Sequence, residues 1–297
     1  MPLSPVSPPR IRPPVISIIT SSTIPTDETN GRWPDGISFQ PESYGNVFVS
    51  DICDGNSSDI GSIEVPPGLA NWMPYLLRAE DQCSTFGFSA HDFLNRAKRR
   101  LDVGSAKGLE HELWAGTLAQ AQGYPNHFLA ASSAVSGAWG FVNLNTSGSY
   151  LETGVTPTIR RAFEVLEQYL ADCGLGGRGV IHCRPEALPY LNTTVRREGN
   201  YLLTARDTIV VAGSGYPNTG PNGAVPPIGS TWLFATGMTE VRLGPIQTFP
   251  NEEEDGPNWL IKATDRSTNL VTVRAERAGV AYWDNVCHAG VQAVLDS

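Results

Sequence analysis

Residues 89–125 read SAHDFLNRAKRRLDVGSAKGLEHELWAGTLAQAQGYP, and this stretch decides the architecture. Phe93, Leu94, Ala97 and Leu101 recur at helical spacing, and Leu109, Leu113, Trp114 and Leu118 continue the stripe. Ser89 followed by Asp92 is a capping-box-like start, and Gly123 with Pro125 supplies the stop. A continuous helix here would run about 34 residues, roughly 50 Å at about 1.5 Å per residue. That is about three times the ordinary length. Gly104 and Gly108 are the points where it would kink or admit another backbone.

A second helix is nearly as plain downstream. Thr156 is placed to cap it, Pro157 sits in its first turn, and Ile159, Phe163, Leu166 and Leu170 form its apolar stripe up to Gly174. GVIHC (179–183) then reads as a short buried strand and RPEALPYL (184–191) as a one-turn helix opened by Pro185. The β segments DTIVVAG (207–213) and TWLFATG (231–237) flank a Gly/Pro-rich loop. The C-terminal part is β-rich. WLIKA (259–263) and LVTVRAERAGVAYW (270–283) are separated by a turn, and Val271, Val273 and Ala275 alternate with Thr272, Arg274 and Glu276. AGVQAV (289–294) reads as a last strand.

Upstream of the long helix the pattern changes. Six of the first fourteen residues are proline, and the apolar run Val15–Ile19 follows them. Proline fixes φ and cannot donate to a ladder, so residues 1–42 read as an extended arm. The prolines, with Arg10 and Arg12 among them, break the uninterrupted apolar run that a signal peptide needs. Residues 43–88 alternate short apolar runs with turn-rich stretches.

Composition narrows the function. The 297 residues carry a formal charge of −9 with three lysines (Lys98, Lys107 and Lys262), which speaks against gripping nucleic-acid phosphates. Charged residues make up only 17% of the chain, a surface suited to burial against copies of itself. No run reaches the ~18 apolar residues of a membrane span. The five cysteines, Cys53, Cys83, Cys173, Cys183 and Cys287, are odd in number and scattered, a pattern that suits reduced, mostly buried thiols in a cytosolic setting.

Several motifs invite chemistry, and each has a plainer reading. GSGYPNTGPNG (213–223) is followed by prolines and a strand, whereas a dinucleotide fingerprint opens a helix. His182–Cys183 and Cys287–His288 are adjacent pairs, but neighbours in a strand point to opposite faces. A nucleophilic pair built across the chain from Cys183 and His288 stays open at this point. The acidic run Glu252–Asp255 lacks the alternating carboxylates of a calcium loop. His111 in EHEL has no second histidine, since position 115 is alanine. No catalytic, cofactor-binding or metal-binding residue is therefore assigned, and no cofactor is expected.

The order of elements resembles the major capsid proteins of tailed bacteriophages and the related encapsulin shells, the Hong Kong 97 fold. FLNRAKRRLDVGSAKGLEHELWAGTLA (93–119) stands where the family has its spine helix, and RRAFEVLEQYLADCGLGGRGVIHCRPEALPYL (160–191) where it has a helix–strand–turn unit. NLVTVRAERAGVAYWDNVCHAGVQAV (269–294) is similar to its closing strands, and the likeness covers roughly residues 89–297. The resemblance implies an α+β chain with an N-terminal arm (1–42), an extended loop (43–88), a peripheral domain with the spine helix (89–148), an axial domain (149–237) and a return to the peripheral domain (238–297). It implies a structural, non-enzymatic protein that self-assembles through pentamers and hexamers into the icosahedral shell of a bacteriophage head. Such a shell encloses double-stranded DNA without sequence-specific binding, and the acidic balance suits that task.

Further expectations follow from the same likeness. The arm and loop would lie on neighbouring subunits, and prolines that pre-extend the arm lower the entropy lost on docking. Partners would be other copies, a portal, and a separate scaffold or decoration protein, with no membrane involved. The protein would reside in the virion capsid after assembly in the host bacterial cytoplasm. The family's type member links a loop lysine to a neighbour's asparagine, and residues 43–88 here contain no lysine. Two other readings remain: an encapsulin-like cargo shell, and a soluble cytosolic enzyme with a Cys/His site.

Overall fold

The computed structural model describes residues 12–24, 33–41, 69–84, 90–123, 128–131, 141–173, 176–251, 263–265, 267–268, 270–284 and 286–296. Two compact units emerge. One is drawn from Ile16–Leu76, Ala106–Pro245 and Ala278–Ser297, the other from Met1–Val15, Leu77–Ser105 and Ile246–Arg277.

The larger unit is built on a seven-stranded sheet. Its strands are β4 (Val142–Asn143), β5 (Gly179–Cys183), β6 (Arg196–Glu198), β7 (Tyr201–Leu203), β8 (Ile209–Ala212), β9 (Ser230–Gly237) and β14 (His288–Val294). They lie in the order β4-β14-β9-β5-β8-β7-β6, with β5 and β8 parallel and β9 antiparallel to both β5 and β14. All five residues of β5 are buried, as expected of a central strand covered on both faces.

Helix α4 (Ile159–Asp172) covers one face of this sheet. Its Ile159, Phe163, Leu166 and Leu170 are buried with Ile181, Cys183, Val210, Leu233, Ala235, Ala289 and Val291. The helix starts two residues later than the Thr156 cap expected from sequence. Thr158 is the cap: its backbone is extended and its hydroxyl accepts from the Arg161 N–H, so Pro157 lies just ahead of the helix rather than in its first turn. After the strand, Pro185–Leu191 form the expected short turn of helix, of 3₁₀ type.

Helix α2 (Ala90–Ala115) has 26 residues rather than about 34. Phe93, Leu94, Ala97, Leu101, Leu109, Leu113 and Trp114 are buried as the spacing requires, but Leu118 is exposed. The interruption falls at Gly116 and not at Gly104 or Gly108. Gly116 takes a left-handed φ of 59°, and a Cβ there would meet the Phe128 ring. The separate helix α3 (Thr117–Ala121) follows, and Ser89 lies outside the described residues.

Within the expected arm, the described residues include one turn of helix. Ser17 and Thr20 form a reciprocal capping box that opens α1 (Ile18–Ser21), and Ile18 is fully buried. Ser22 Oγ bonds Thr239 Oγ1 at 2.7 Å, while the Thr23 N–H donates to the Thr239 carbonyl and Val241 N–H to that of Thr23. Strands β1 (Ile37–Phe39) and β2 (Ala70–Trp72) pair antiparallel in the same unit. Residues 42–68, which hold most of the expected extended loop, lie outside the described residues, as does nearly all of the expected strand 259–263.

In the smaller unit, the first part of β13 (Leu270–Tyr282) pairs with β11 (Gln247–Phe249), β12 (Thr264–Asp265) and β3 (Tyr75–Ser84). Val271, Val273 and Ala275 are fully buried, matching the alternation in sequence. Buried Asp81 on β3 receives two arginines of α2: Arg96 through Nε, and Arg100 through Nη1 at 2.9 Å. Its carboxylate is thereby paired on both oxygens, which offsets the cost of burying the charge.

The cysteines correct an expectation. Cys173, the C-cap of α4, and Cys287, just before β14, form a disulfide across 114 positions with Cα atoms 5.8 Å apart. Sequence spacing alone is blind to this, because the packing of α4 on the sheet brings the two backbones together. Cys183 is a buried free thiol.

Candidate functional site

The two Cys/His pairs resolve through the pleat of the sheet. His182 pairs across β9 with Phe234, and Ile181 with Ala235, so His182 faces away from α4 while Cys183 faces into the α4 core. His288 pairs with Thr236, on the His182 face. Cys183 and His288 therefore occupy opposite faces of one sheet and cannot form a nucleophilic pair. Burial pushes the Cys183 thiol up to about 12, which keeps it protonated. Cys287 is in the disulfide.

Both buried histidines act as neutral hydrogen-bonding cores. His182 Nδ1 lies 2.9 Å from Tyr216 Oη and Nε2 lies 3.0 Å from Thr236 Oγ1. Burial holds its pKa down to about 3. His288 Nε2 donates to the Leu129 carbonyl at 2.9 Å, between the rings of Phe141 and Trp283, and burial lowers it to about 4. Around them Trp114 of α2 meets Phe234 edge-on at 4.7 Å and Tyr216 at 4.8 Å. This aromatic layer is how the C-terminal half of α2 covers the second face of the sheet.

The EHEL stretch carries its weight in the two glutamates rather than in His111, which is exposed. Glu110 is fully buried: Oε1 accepts from the Ile18 N–H at 3.1 Å, and Oε2 from the Gly215 N–H at 2.9 Å and Ser214 Oγ at 3.4 Å. Burial raises its carboxyl to about 7, against the lowering effect of those donors. Glu112 Oε1 accepts from the Leu118 and Ala119 N–H groups at 2.7 and 2.9 Å. It caps α3, whose own N-cap residue, Gly116, has no side chain to do so. Sequence reasoning missed Glu110, although Ala106, Glu110 and Trp114 share one inward face at spacing of four. A charge at a stripe position was the available signal.

The glycine-rich loop is a packing device. A Cβ on Gly215 would lie 2.1 Å from the Lys107 carbonyl of α2, and one on Gly220 would strike the Trp232 ring. Asn218 and Thr219 turn inward. Asn218 Oδ1 accepts from the Trp232 N–H at 2.9 Å and Thr231 Oγ1 at 3.1 Å, and the Thr219 carbonyl accepts from Trp114 Nε1 at 2.7 Å. Outward the loop presents Asn222 and two aliphatic side chains: Val225 is 82% exposed and Ile228 wholly so, on either side of Pro226 and Pro227. The acidic run Glu252–Asp255 lies outside the described residues. Among the described residues, no group of three or more His, Cys, Asp or Glu side chains is placed to hold a metal ion. No described helix is long and apolar enough to cross a membrane.

No protein-family model matches the chain, and no curated protein matches it in sequence. Solved structures do. The capsid of an empty GTA particle, computed with fivefold symmetry, aligns with a TM-score of 0.53 at 11% identity, over 99% of this chain and 95% of that one. The capsid of a native GTA particle gives 0.52 at 11% identity with the same coverage. Microbacterium phage Oxtober96 gives 0.51 at 11% identity, over 99% of this chain and 96% of that one. The chain thus has the α+β fold of phage capsid proteins over nearly its whole length.

Proposed function

We propose that this chain is the structural subunit of a self-assembling shell, a phage-type major capsid protein, and not an enzyme. The observation that carries the reading is the alignment of nearly the entire chain with capsid subunits of equal extent. An enzyme reading loses its residues, since Cys183 and His288 lie on opposite faces of the sheet and Cys287 is bonded to Cys173. The exposed Val225–Ile228 tip supports association, because water-facing aliphatic side chains on a braced loop gain from burial against another copy.

The finer parts belong to the same proposal. The region 89–148 with 238–297 would serve as peripheral domain, 149–237 as axial domain, 43–88 as extended loop and 1–42 as arm. Copies would gather as pentamers and hexamers of an icosahedral virion shell assembled in the host cytoplasm around double-stranded DNA. A portal and a separate scaffold or decoration protein would complete it. Size-exclusion chromatography with negative-stain microscopy of the expressed chain tests the core claim. Megadalton hollow particles are expected, and a stable species that never exceeds a few 32.0 kDa subunits at any concentration would overturn it.

A further inference from the structure

The Cys173–Cys287 bond joins elements that the fold already holds together without it. Strand β14 pairs with β9 along all seven of its residues and with β4 on its other edge. At its far end the Val294 N–H donates to the Pro157 carbonyl, just ahead of α4. At its near end the His288 N–H donates to Tyr169 Oη at 3.0 Å, one turn before Cys173. The Cys173 N–H closes onto the Tyr169 carbonyl, and the Cys287 carbonyl accepts from the Gly237 N–H. Both cysteine backbones are thus placed by hydrogen bonds and core packing, with Cα atoms at ordinary disulfide spacing.

Access completes the picture. Cys173 is half-buried and Cys287 buried, and both line a groove of about 680 Å³ with Arg178, Arg242, Tyr282 and Asp284. A groove of that size admits a small-molecule disulfide. Cys183 offers no competing route, being enclosed in the α4 core with its thiol held protonated.

We infer that Cys173–Cys287 is a redox lock that closes after the subunit has folded, by exchange with a low-molecular-weight disulfide such as oxidised glutathione. The more exposed Cys173, as thiolate, attacks the small disulfide and forms a mixed disulfide, releasing one small thiol. Cys287, as thiolate, then attacks the Cys173 sulfur, forming the protein bond and releasing the second small thiol. The two cysteines lose two electrons and two protons, and the small disulfide gains both. Thiols stay reduced in a cytosol and oxidise outside it, so a chain made in a reducing compartment would fold open and lock on release. The inference concerns a single chain and does not depend on the shell reading.

The test uses the full chain, fully reduced under native conditions and freed of reductant. Oxidised glutathione is then added, the reaction is quenched with N-ethylmaleimide, and peptides are mapped without reduction. A linked 173–287 peptide with two equivalents of released glutathione is expected. Near-UV circular dichroism before oxidation should show a folded chain, and Tm should rise by several degrees on closure. The double variant Cys173→Ser, Cys287→Ser should melt like the reduced parent with or without oxidant. An unfolded reduced chain, the two thiols left unlinked, an unchanged Tm, or a double variant that still responds to oxidant would each overturn the lock.

Discussion

The backbone N–H of Ile18 donates to Glu110 Oε1 at 3.1 Å in the interior, joining residues 92 positions apart. The same carboxylate receives Gly215 and Ser214, so one side chain ties the N-terminal helix and the glycine-rich loop to α2. Its donors suit the ionised form, while its burial opposes ionisation, and burial dominates.

That balance predicts a pH dependence. The folded carboxyl titrates near 7, above its ordinary value of 4.5, so the folded state holds a proton that the unfolded chain has already lost. The stabilisation is full below about pH 4.5 and is lost as pH rises through about 7, with a total of roughly 3 kcal/mol for a shift of this size. Urea unfolding of the subunit at pH 5 and pH 8 should show the decline. Glu110→Gln should flatten it, and an equally steep decline in that variant would assign it elsewhere.

Deleting residues 1–30 should destabilise the subunit itself. The deletion removes buried Ile18 and the bonds of Ser22 and Thr23 to Thr239 and Val241, a loss of several kcal/mol from burial and orphaned donors together. A thermal melt of the truncated chain lying within a degree of the parent would show that this segment is dispensable for the fold.

Two kinds of change in the glycine-rich loop should separate assembly from folding. Val225→Asp with Ile228→Asp alters only exposed side chains, so Tm should stay nearly constant, within about 0.5 kcal/mol in stability, while particle yield falls. Asn218→Gly keeps the left-handed backbone, which has φ 60°, but abandons the Trp232 N–H and the Thr231 hydroxyl. It should cost about 1–3 kcal/mol in the subunit before any effect on particles. Full particle yield from the doubly charged variant would remove the loop tip from the assembly surface.

Covalent chain-to-chain linkage through a loop lysine should be missing, because residues 43–88 contain none. Boiled and reduced particles should run as one band near 32 kDa on a denaturing gel. A ladder of higher bands would mean that Lys98, Lys107 or Lys262 forms the link.

The sequence by itself was enough for the elements and their order. Hydrophobic spacing of 3.6 marks α2 and α4 and spacing of 2 marks β13, since each must bury one face, while short apolar runs mark β5 and β9, which are buried on both. It also carried the family resemblance, which rests on that order. Only the tertiary structure decided the polar and covalent junctions. Glu110 finds its donors 92 positions upstream and 105 downstream, Cys173 meets Cys287 through the packing of α4 on the sheet, and Cys183 and His288 are parted by the pleat. The break at Gly116 depends on Phe128 filling the space where a Cβ would lie, and the inward turn of Asn218 on the Trp232 N–H and Thr231 hydroxyl that donate to it. Local periodicity reports whether a residue is buried; which distant group it is buried against is set by packing, and no spacing along the chain encodes it.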